Sequence, residues 1–280
     1  MSASASRFPL PDIVTKLRSA GCVFAEDEAR LLISAASTPA ELAAMVDRRA
    51  AGLPLEQVLG WAEFCGLRIT VEPGVFVPRR RTEFLVHQAV DLATRPSPVV
   101  VDLCCGSGAL GAAMIAALDR VGSYAVELYA VDIDPAAVRC ARRNLAAADG
   151  RVYAGDLYEP LPANLRGRID ILVANVPYVP TDEIELLPAE ARVHEARVAL
   201  DGGPDGLDVL RRVSAAAPQW LAPGGHLLSE TSQRQAPYAV EIIAGTGLIP
   251  RLARSDELGA TVVIGTRPGD RGSGLDTPTP

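Results

Sequence analysis

The chain has 280 residues, 49% of them apolar but only 5% aromatic, and a formal net charge of −7. That length allows one or two domains with a substantial core built from Ala, Val and Leu. The negative charge disfavours nucleic acid as a partner, because non-specific binding relies on neutralising many phosphates, and no apolar stretch approaches the roughly 20 residues needed to cross a membrane.

Residues 1–7 lack the apolar centre of a signal peptide and read as a frayed tail. Residues 11–20, 26–36 and 39–51 carry apolar positions at helical spacing, separated by Gly21 and by Thr38-Pro39. Asp12 and Glu26-Asp27-Glu28 place acids early in their helices, where the helix dipole favours them. Two strand-like pieces, 62–65 and 67–71, precede Pro73-Gly74. We read 1–75 as a small helical domain ending in a β-hairpin, joined through 76–84 to a sheet domain that extends over 76–267. Residues 1–80 hold nine Lys/Arg and nine Asp/Glu, so this part is no basic nucleic-acid arm. A packing role and a substrate-docking role are both open to it.

The next run, Val99-Val100-Val101-Asp102-Leu103, passes through Cys104-Cys105-Gly106-Ser107-Gly108 into an Ala-rich helical stretch at 109–120. Glycines there let the backbone approach a ligand beside a helix N-terminus. A turn of this kind also suits phosphates, but the Lys-Ser/Thr pair of a P-loop is missing and the dinucleotide fingerprint is only loosely echoed. A second strand at 126–131 ends in Asp132, 24 residues beyond Gly108, where a carboxylate can accept both hydroxyls of a ribose. It continues into Ile133-Asp134-Pro135, with Asp134 as N-cap and Pro135 as first helical residue. A third strand at 151–154 leads to Gly155-Asp156-Leu157, which offers an adenine edge a carboxylate and an apolar wall. The fourth run ends in Asn175. Four strands, each ending in a ligand-type group, describe a doubly wound sheet that binds at the carboxyl ends of its strands. Beyond it the spacing gives a loop with Pro180 and Pro188, a helix near 205–220, a strand at 226–230, a helix at 235–245, strands near 248–254 and 260–266, and a disordered tail at 268–280.

Asn175-Val176-Pro177-Tyr178 has the composition to hold a planar NH2 group. The Asn side-chain oxygen and the carbonyl of Val176 can each accept one N–H, while the Tyr ring covers the flat face. Pro177 fixes its own φ and keeps Val176 extended, so the turn holds its shape without a ligand. Two acceptors on its hydrogens return electron density to an amide nitrogen and can aim it at an electrophile. Five cysteines (Cys22, Cys65, Cys104, Cys105, Cys140) without Cys-x-x-Cys spacing, and three scattered histidines, offer no metal site. That cysteine usage fits a reducing cytoplasm.

Taken together, these motifs resemble the HemK/PrmC family of AdoMet-dependent protein-(glutamine-N5) methyltransferases over about residues 10–267. The resemblance includes Pro54-Leu55-Glu56-Gln57-Val58-Leu59-Gly60, Val77-Pro78-Arg79 before Thr82-Glu83, the Gly-Ser-Gly turn, Val131-Asp132-Ile133 and Asn-Val-Pro-Tyr. It extends to the Gly-rich segment 199–207 and to Leu221-Ala222-Pro223-Gly224-Gly225. It implies a class I methyltransferase, with a Rossmann-like, mostly parallel seven-stranded sheet, carrying a small N-terminal helical domain. The implied cofactor is S-adenosyl-L-methionine, released as S-adenosyl-L-homocysteine. Its implied ligands are Asp102, Cys104, Cys105, Gly106, Ser107, Gly108, Asp132, Ile133, Asp156, Leu157 and Asn175. Asn175, Pro177 and Tyr178 are the implied catalytic group, and Arg79 with Asn175–Tyr178 the substrate-binding group. The expected partner is a protein substrate docking on the N-terminal domain and the cleft; the alternatives are a small amino-acid-like or guanidino metabolite as acceptor, or an AdoMet-binding protein without turnover.

Two departures bear on the substrate. The family has Pro where this chain has Val176, as in a related subgroup, and Arg79-Arg80-Arg81 stands where the family has Arg-Pro-acid. An arginine triplet points to an anionic substrate, or for Arg80 and Arg81 to a solvated basic turn. Glu195 in His194-Glu195-Ala196-Arg197 matches a family Glu-Pro-Arg and has a structural reading. Glu230 and Thr231, at the end of the fifth strand, are candidates for the cleft wall.

Overall fold

The apolar runs that end in ligand-type residues all become strands of one sheet. The computed structural model describes residues 10–122 and 125–269; the tail expected at 1–7, and 270–280 of that expected at 268–280, lie outside the described residues. Four helices come first, α1 (Leu10–Ser19), α2 (Ala25–Ala35), α3 (Pro39–Ala50) and the short α4 (Leu55–Leu59). Thr38 caps α3 by accepting the Glu41 N–H at 3.1 Å, with Pro39 as first helical residue. Leu17, Ala29, Leu32 and Met45 bury the facing stripes of these helices in a cluster of their own.

The hairpin follows as β1 (Trp61–Phe64) and β2 (Leu67–Thr70), joined by Cys65 and Gly66, both at positive φ as a tight two-residue turn demands. Asn144 docks it: its side-chain oxygen accepts the Thr70 N–H, and its NH2 donates to the carbonyls of Thr70 and of Ser107 in the Gly turn. One side chain thus ties the hairpin to the loop after the first sheet strand.

The remaining elements are α5 (Glu83–Leu92), β3 (Val99–Leu103), α6 (Ala109–Val121), β4 (Glu127–Asp132), α7 (Pro135–Leu145), β5 (Arg151–Ala154), β6 (Ile169–Ala174), α8 (Ala189–His194), α9 (Asp208–Trp220), β7 (Leu221–Glu230), α10 (Ala236–Gly245), β8 (Ile249–Ser255) and β9 (Ala260–Thr266). The sheet order is β5-β4-β3-β6-β7-β9-β8; pairs from β5 to β7 are parallel and β9 is antiparallel to both its neighbours. After β3 the chain winds toward β5, then returns to place β6 on the other side. The crevice between the carboxyl ends of β3 and β6 is therefore the topological switch point, where open sheets of this kind bind ligands.

Alternate residues of the central strands feed two cores. Val100, Leu128, Ala130, Ile171 and Val173 meet Leu85, Met114 and Leu118 on one face. On the other, Val101, Leu103, Val131, Leu172 and Ala174 meet Leu210, Trp220 and Ile243. Burial on both faces is why these strands read as continuous apolar runs.

Three elements differ from the sequence reading. Glu83–Leu92 is a helix, where 76–84 was expected to be only a connection; Leu85, Val86 and Ala89 are buried on its inner side. The loop expected between Pro180 and Pro188 holds a 3-10 turn, Thr181–Leu186, before α8. The strand expected at 226–230 begins at Leu221, with Pro223-Gly224-Gly225 forming an irregularity in the register with β6. Gly224 donates to the Arg267 carbonyl and Gly225 accepts from Arg267, so pairing with the next strand carries the chain through that turn.

Candidate active site

A cavity of about 440 Å³ lies at the switch point, within the roughly 300–1,000 Å³ usual for small-ligand sites. Cys104, Cys105, Gly106, Ser107, Asp132, Ile133, Asp156, Leu157 and the whole Asn175–Tyr178 segment line it, as does Arg79. Asp102 and Gly108 stand behind the wall. Gly108, at φ +77°, lies so close to α7 that a Cβ would come within 3.2 Å of the Ala141 Cα, which makes it a packing glycine. The cover comes from chain that the sequence reading left out of the site: Phe76, Pro78, Leu187, Pro188, Ala191 and Val198.

Asp102 is wholly buried. One carboxylate oxygen accepts the Gly111 N–H at 3.2 Å, at the start of α6, and the other has no partner among the described residues. Burial pushes this carboxyl up to about 7, against the Gly111 hydrogen bond and with further upward pressure from the Asp132 charge. The folded chain then holds the proton more tightly than the unfolded one. Stability contributed by this group falls as pH rises from about 4 to about 7 and is level above. Asp102→Asn, which keeps an acceptor for Gly111 but cannot ionise, is expected to raise Tm over the wild type near pH 8 and to lose more than half of that gain near pH 5. An equal Tm difference at the two pH values would show that Asp102 does not titrate between them.

Asp132 accepts the Gly106 N–H at 2.8 Å through one oxygen and the Asp134 N–H at 2.9 Å through the other. Each oxygen keeps a further lone pair for a ligand. Burial raises its pKa, and the hydrogen bonds from Asp134 and Gly106 oppose the rise. Asp134 caps α7 by accepting the Ala136 N–H at 2.9 Å. Asp156 receives Arg212 of α9 at 2.6 Å on one oxygen, which leaves the other for an N–H donor. Arg212 also lines the cavity, and nothing in its sequence neighbourhood marked it. The thiols of Cys104 and Cys105 are pushed far up by burial first and by the neighbouring aspartates, so they are not nucleophiles.

The Asn-Val-Pro-Tyr segment is gripped from below. Gln235, buried, donates to the carbonyls of Tyr178 and Asp205, both at 2.9 Å. Val179 donates to the Leu200 carbonyl and accepts from Gly202. A Cβ at Gly202 would lie 2.7 Å from the Pro177 carbonyl, and one at Gly206 would overlap that of Tyr178. Only a glycine-rich partner loop can lie this close. Val176 is 2% exposed and packs into the apolar layer beneath. Asn175 Oδ1 is buried with no partner among the described residues, in the wall of a cavity. A buried acceptor left open is costly unless something else donates to it.

The arginine triplet resolves into three environments. Arg79 donates to Glu195 Oε1 at 2.5 Å and lies over the Phe76 ring. Glu195 also accepts the Val77 N–H, which gives it a structural role in holding the 71–82 connection. Arg81 donates from Nε to Glu230 Oε1 at 2.8 Å and from Nη2 to the Tyr178 hydroxyl at 2.5 Å. Arg81 keeps 46% of its side chain exposed, so it remains a residue of a solvated turn, but one that also pairs with a buried carboxylate 149 residues away. Arg80 is exposed. Glu230 and Thr231, the candidates for the cleft wall, are both buried and stand outside the lining of the cavity.

A mixed sheet of this order, with its acceptor groups gathered at the switch point, defines a class I AdoMet-dependent methyltransferase. The family model described as "Methyltransferase small domain" matches residues 66–207. The release factor glutamine methyltransferase of Geobacter sulfurreducens is 39% identical over 82% of this chain and 80% of its own, and that of Bradyrhizobium diazoefficiens 34% identical over 91% and 92%. The solved ribosomal protein L11 methylase of Lactobacillus delbrueckii subsp. bulgaricus shares the fold, with a TM-score of 0.50, 18% identity and coverage of 71% of this chain and 85% of its own. The chain belongs to the release factor glutamine methyltransferase family, of HemK/PrmC type, and is an AdoMet-dependent N-methyltransferase.

Proposed function

We propose that this enzyme methylates the side-chain amide nitrogen of a glutamine in a peptide chain release factor. The observation that carries the reading is the buried, unpartnered Asn175 Oδ1 in the cavity wall, and the relatives' names supply the substrate class. The side-chain oxygen of Asn175 and the carbonyl of Val176 would accept the two amide hydrogens, with the Tyr178 ring over the flat face. Pro177 keeps those acceptors in place before substrate arrives.

The remaining donor set fits AdoMet. Asp132 would hold the ribose hydroxyls and Asp156, with Leu157, the adenine. The backbone of Cys104–Ser107 would lie along the rest, with Asp102 and Gly108 shaping that turn from behind. AdoMet supplies a methyl carbon on a sulfonium that is already charged, so the chain needs only to align the acceptor nitrogen and exclude water. The proton left on nitrogen becomes acidic after transfer and departs to water, leaving S-adenosyl-L-homocysteine.

Neither departure from the family favours a small anionic substrate. The Val176 side chain is occupied in the core, and Arg79 and Arg81 already face the buried carboxylates of Glu195 and Glu230. A protein substrate would reach the cavity past Leu187, Pro188 and the helical unit, which Arg49 joins to the cavity rim through Glu190 at 2.5 Å. We infer a cytoplasmic location from the five free cysteines; among the described residues no helix is long and apolar enough to cross a membrane.

Methyl-labelled AdoMet incubated with the enzyme and a recombinant bacterial release factor tests the reading. Label should enter the protein fraction, map to one glutamine, and vanish when that glutamine is replaced by alanine. A release factor that stays unlabelled, while the enzyme incubated with cell lysate passes label only into the small-molecule fraction, would overturn it.

A further inference from the structure

The second site-facing arginine, Arg81, has no role in the chemistry described above, yet it reaches the tyrosine assigned to the acceptor. The Tyr178 hydroxyl accepts from Arg81 Nη2 at 2.5 Å and donates to Glu230 Oε1 at 3.1 Å. Glu230 is 3% exposed and receives Arg81 Nε at 2.8 Å on the same oxygen and the Thr82 hydroxyl at 2.7 Å on the other. The opposite end of Tyr178 is held as well, because its backbone carbonyl accepts from Gln235. Both ends of a rigid ring are therefore pinned, one through the backbone and the other through a charge-assisted triangle whose members come from three distant parts of the chain. Burial and then the Glu230 charge push the Tyr178 hydroxyl up to about 12, so it stays protonated and serves as donor and acceptor at once.

We propose that Arg81 is a positioning residue for methyl transfer: with Glu230 it fixes the plane of the Tyr178 ring against which the acceptor amide lies. This rests on the assignment of Asn175 and Tyr178 to the acceptor. The physical basis is that Glu230 alone would leave the hydroxyl free to turn about the C–O bond and the ring to tilt toward the cavity. A second, fixed donor from a guanidinium removes that freedom. Misplacement by about 1 Å in such an arrangement can cost about 100-fold in rate. Arg81 does not touch the residues assigned to the ribose and adenine, so cofactor affinity should be indifferent to it.

The test is a double-mutant cycle in the full chain, using Arg81→Met, Tyr178→Phe and the pair, with recombinant release factor as acceptor and saturating AdoMet. Arg81→Met should lower kcat at least about tenfold while leaving the Kd of AdoMet within about twofold. In the Tyr178→Phe background the same change should cost less than about twofold, because the hydroxyl that Arg81 acts through is gone. Independent losses that multiply in the pair, or a Kd for AdoMet that moves as far as kcat, would overturn the proposal. Should Arg81→Met fail to fold, Arg81→Gln serves in the same cycle. A readout free of substrate is the 19F spectrum of protein labelled with 3-fluorotyrosine, with the Tyr178 line assigned by its loss in Tyr178→Phe. That line should shift or broaden in Arg81→Met, and an unchanged line would overturn the clamp. A release factor left unlabelled by the wild type, together with the expected change of the 19F line in Arg81→Met, would count against the substrate reading and support the clamp.

Discussion

Asn175→Ala is expected to lower kcat for methyl transfer by about 10²–10³-fold, the range seen when one preorganised polar group that contacts the reacting centre is removed. The AdoMet affinity should stay within a few-fold, because ribose and adenine are assigned to other residues. The asymmetry follows from the contacts of this side chain. Its oxygen is buried and has no partner among the described residues, so truncation breaks no hydrogen bond that supports the fold. Tm should therefore change little, unlike the usual outcome of cutting a buried polar side chain. On the proposed assignment, what is lost is one of two acceptors that hold the amide in the plane needed for attack. Single-turnover transfer from labelled AdoMet, beside calorimetric binding of S-adenosyl-L-homocysteine, separates the two effects. A variant that retains transfer within about threefold of wild type would remove Asn175 from the reacting centre.

The same residue shows what a sequence can reveal about such a site and what it cannot. Asn175, Asp132, Asp156 and the Gly turn all sit at or just beyond the ends of strands. Of these strands β3, β4 and β6, buried on both faces, announce themselves as apolar runs of limited length, whereas β5 is a half-exposed edge strand. A polar residue that ends such a run is placed at the sheet edge by chain direction alone. The cover of the cavity obeys no such rule. Leu187, Pro188 and Ala191 lie in a proline-rich stretch with little periodicity, and only the fold brings them to the cavity wall. Arg81 could not be told from Arg80 by composition, since its neighbours Glu230 and Tyr178 lie 149 and 97 residues away. The helix α5 was hidden for a related reason. Glu-Phe-Leu-Val-His holds aromatic and β-branched residues of modest helix propensity, and burial of Leu85, Val86 and Ala89 supplies the stability that local preference does not.

Asp132→Ala is expected to raise the Kd of AdoMet by at least about 100-fold, since hydrogen bonds to a charged group contribute about 1.5–3 kcal/mol each and a ribose offers two hydroxyls. This variant should also lose stability, in contrast to Asn175→Ala. Removing the carboxylate orphans two donors, the N–H of Gly106 in the Gly turn and that of Asp134 at the entry to α7. Loss of affinity could then follow from a distorted turn as readily as from a lost ribose contact, and two further measurements distinguish these causes. Asp134→Ala removes the cap on α7, worth about 1 kcal/mol, while sparing Asp132, and should lower Tm with little change in Kd. The second compares S-adenosyl-L-homocysteine with its 2′-deoxy analogue. Wild type should bind the analogue at least about tenfold more weakly, and Asp132→Ala should bind the two nearly alike, because the hydroxyl and its acceptor form one interaction. If the deoxy analogue loses the same factor on both proteins, the ribose is held elsewhere and Asp132 acts through the shape of the turn.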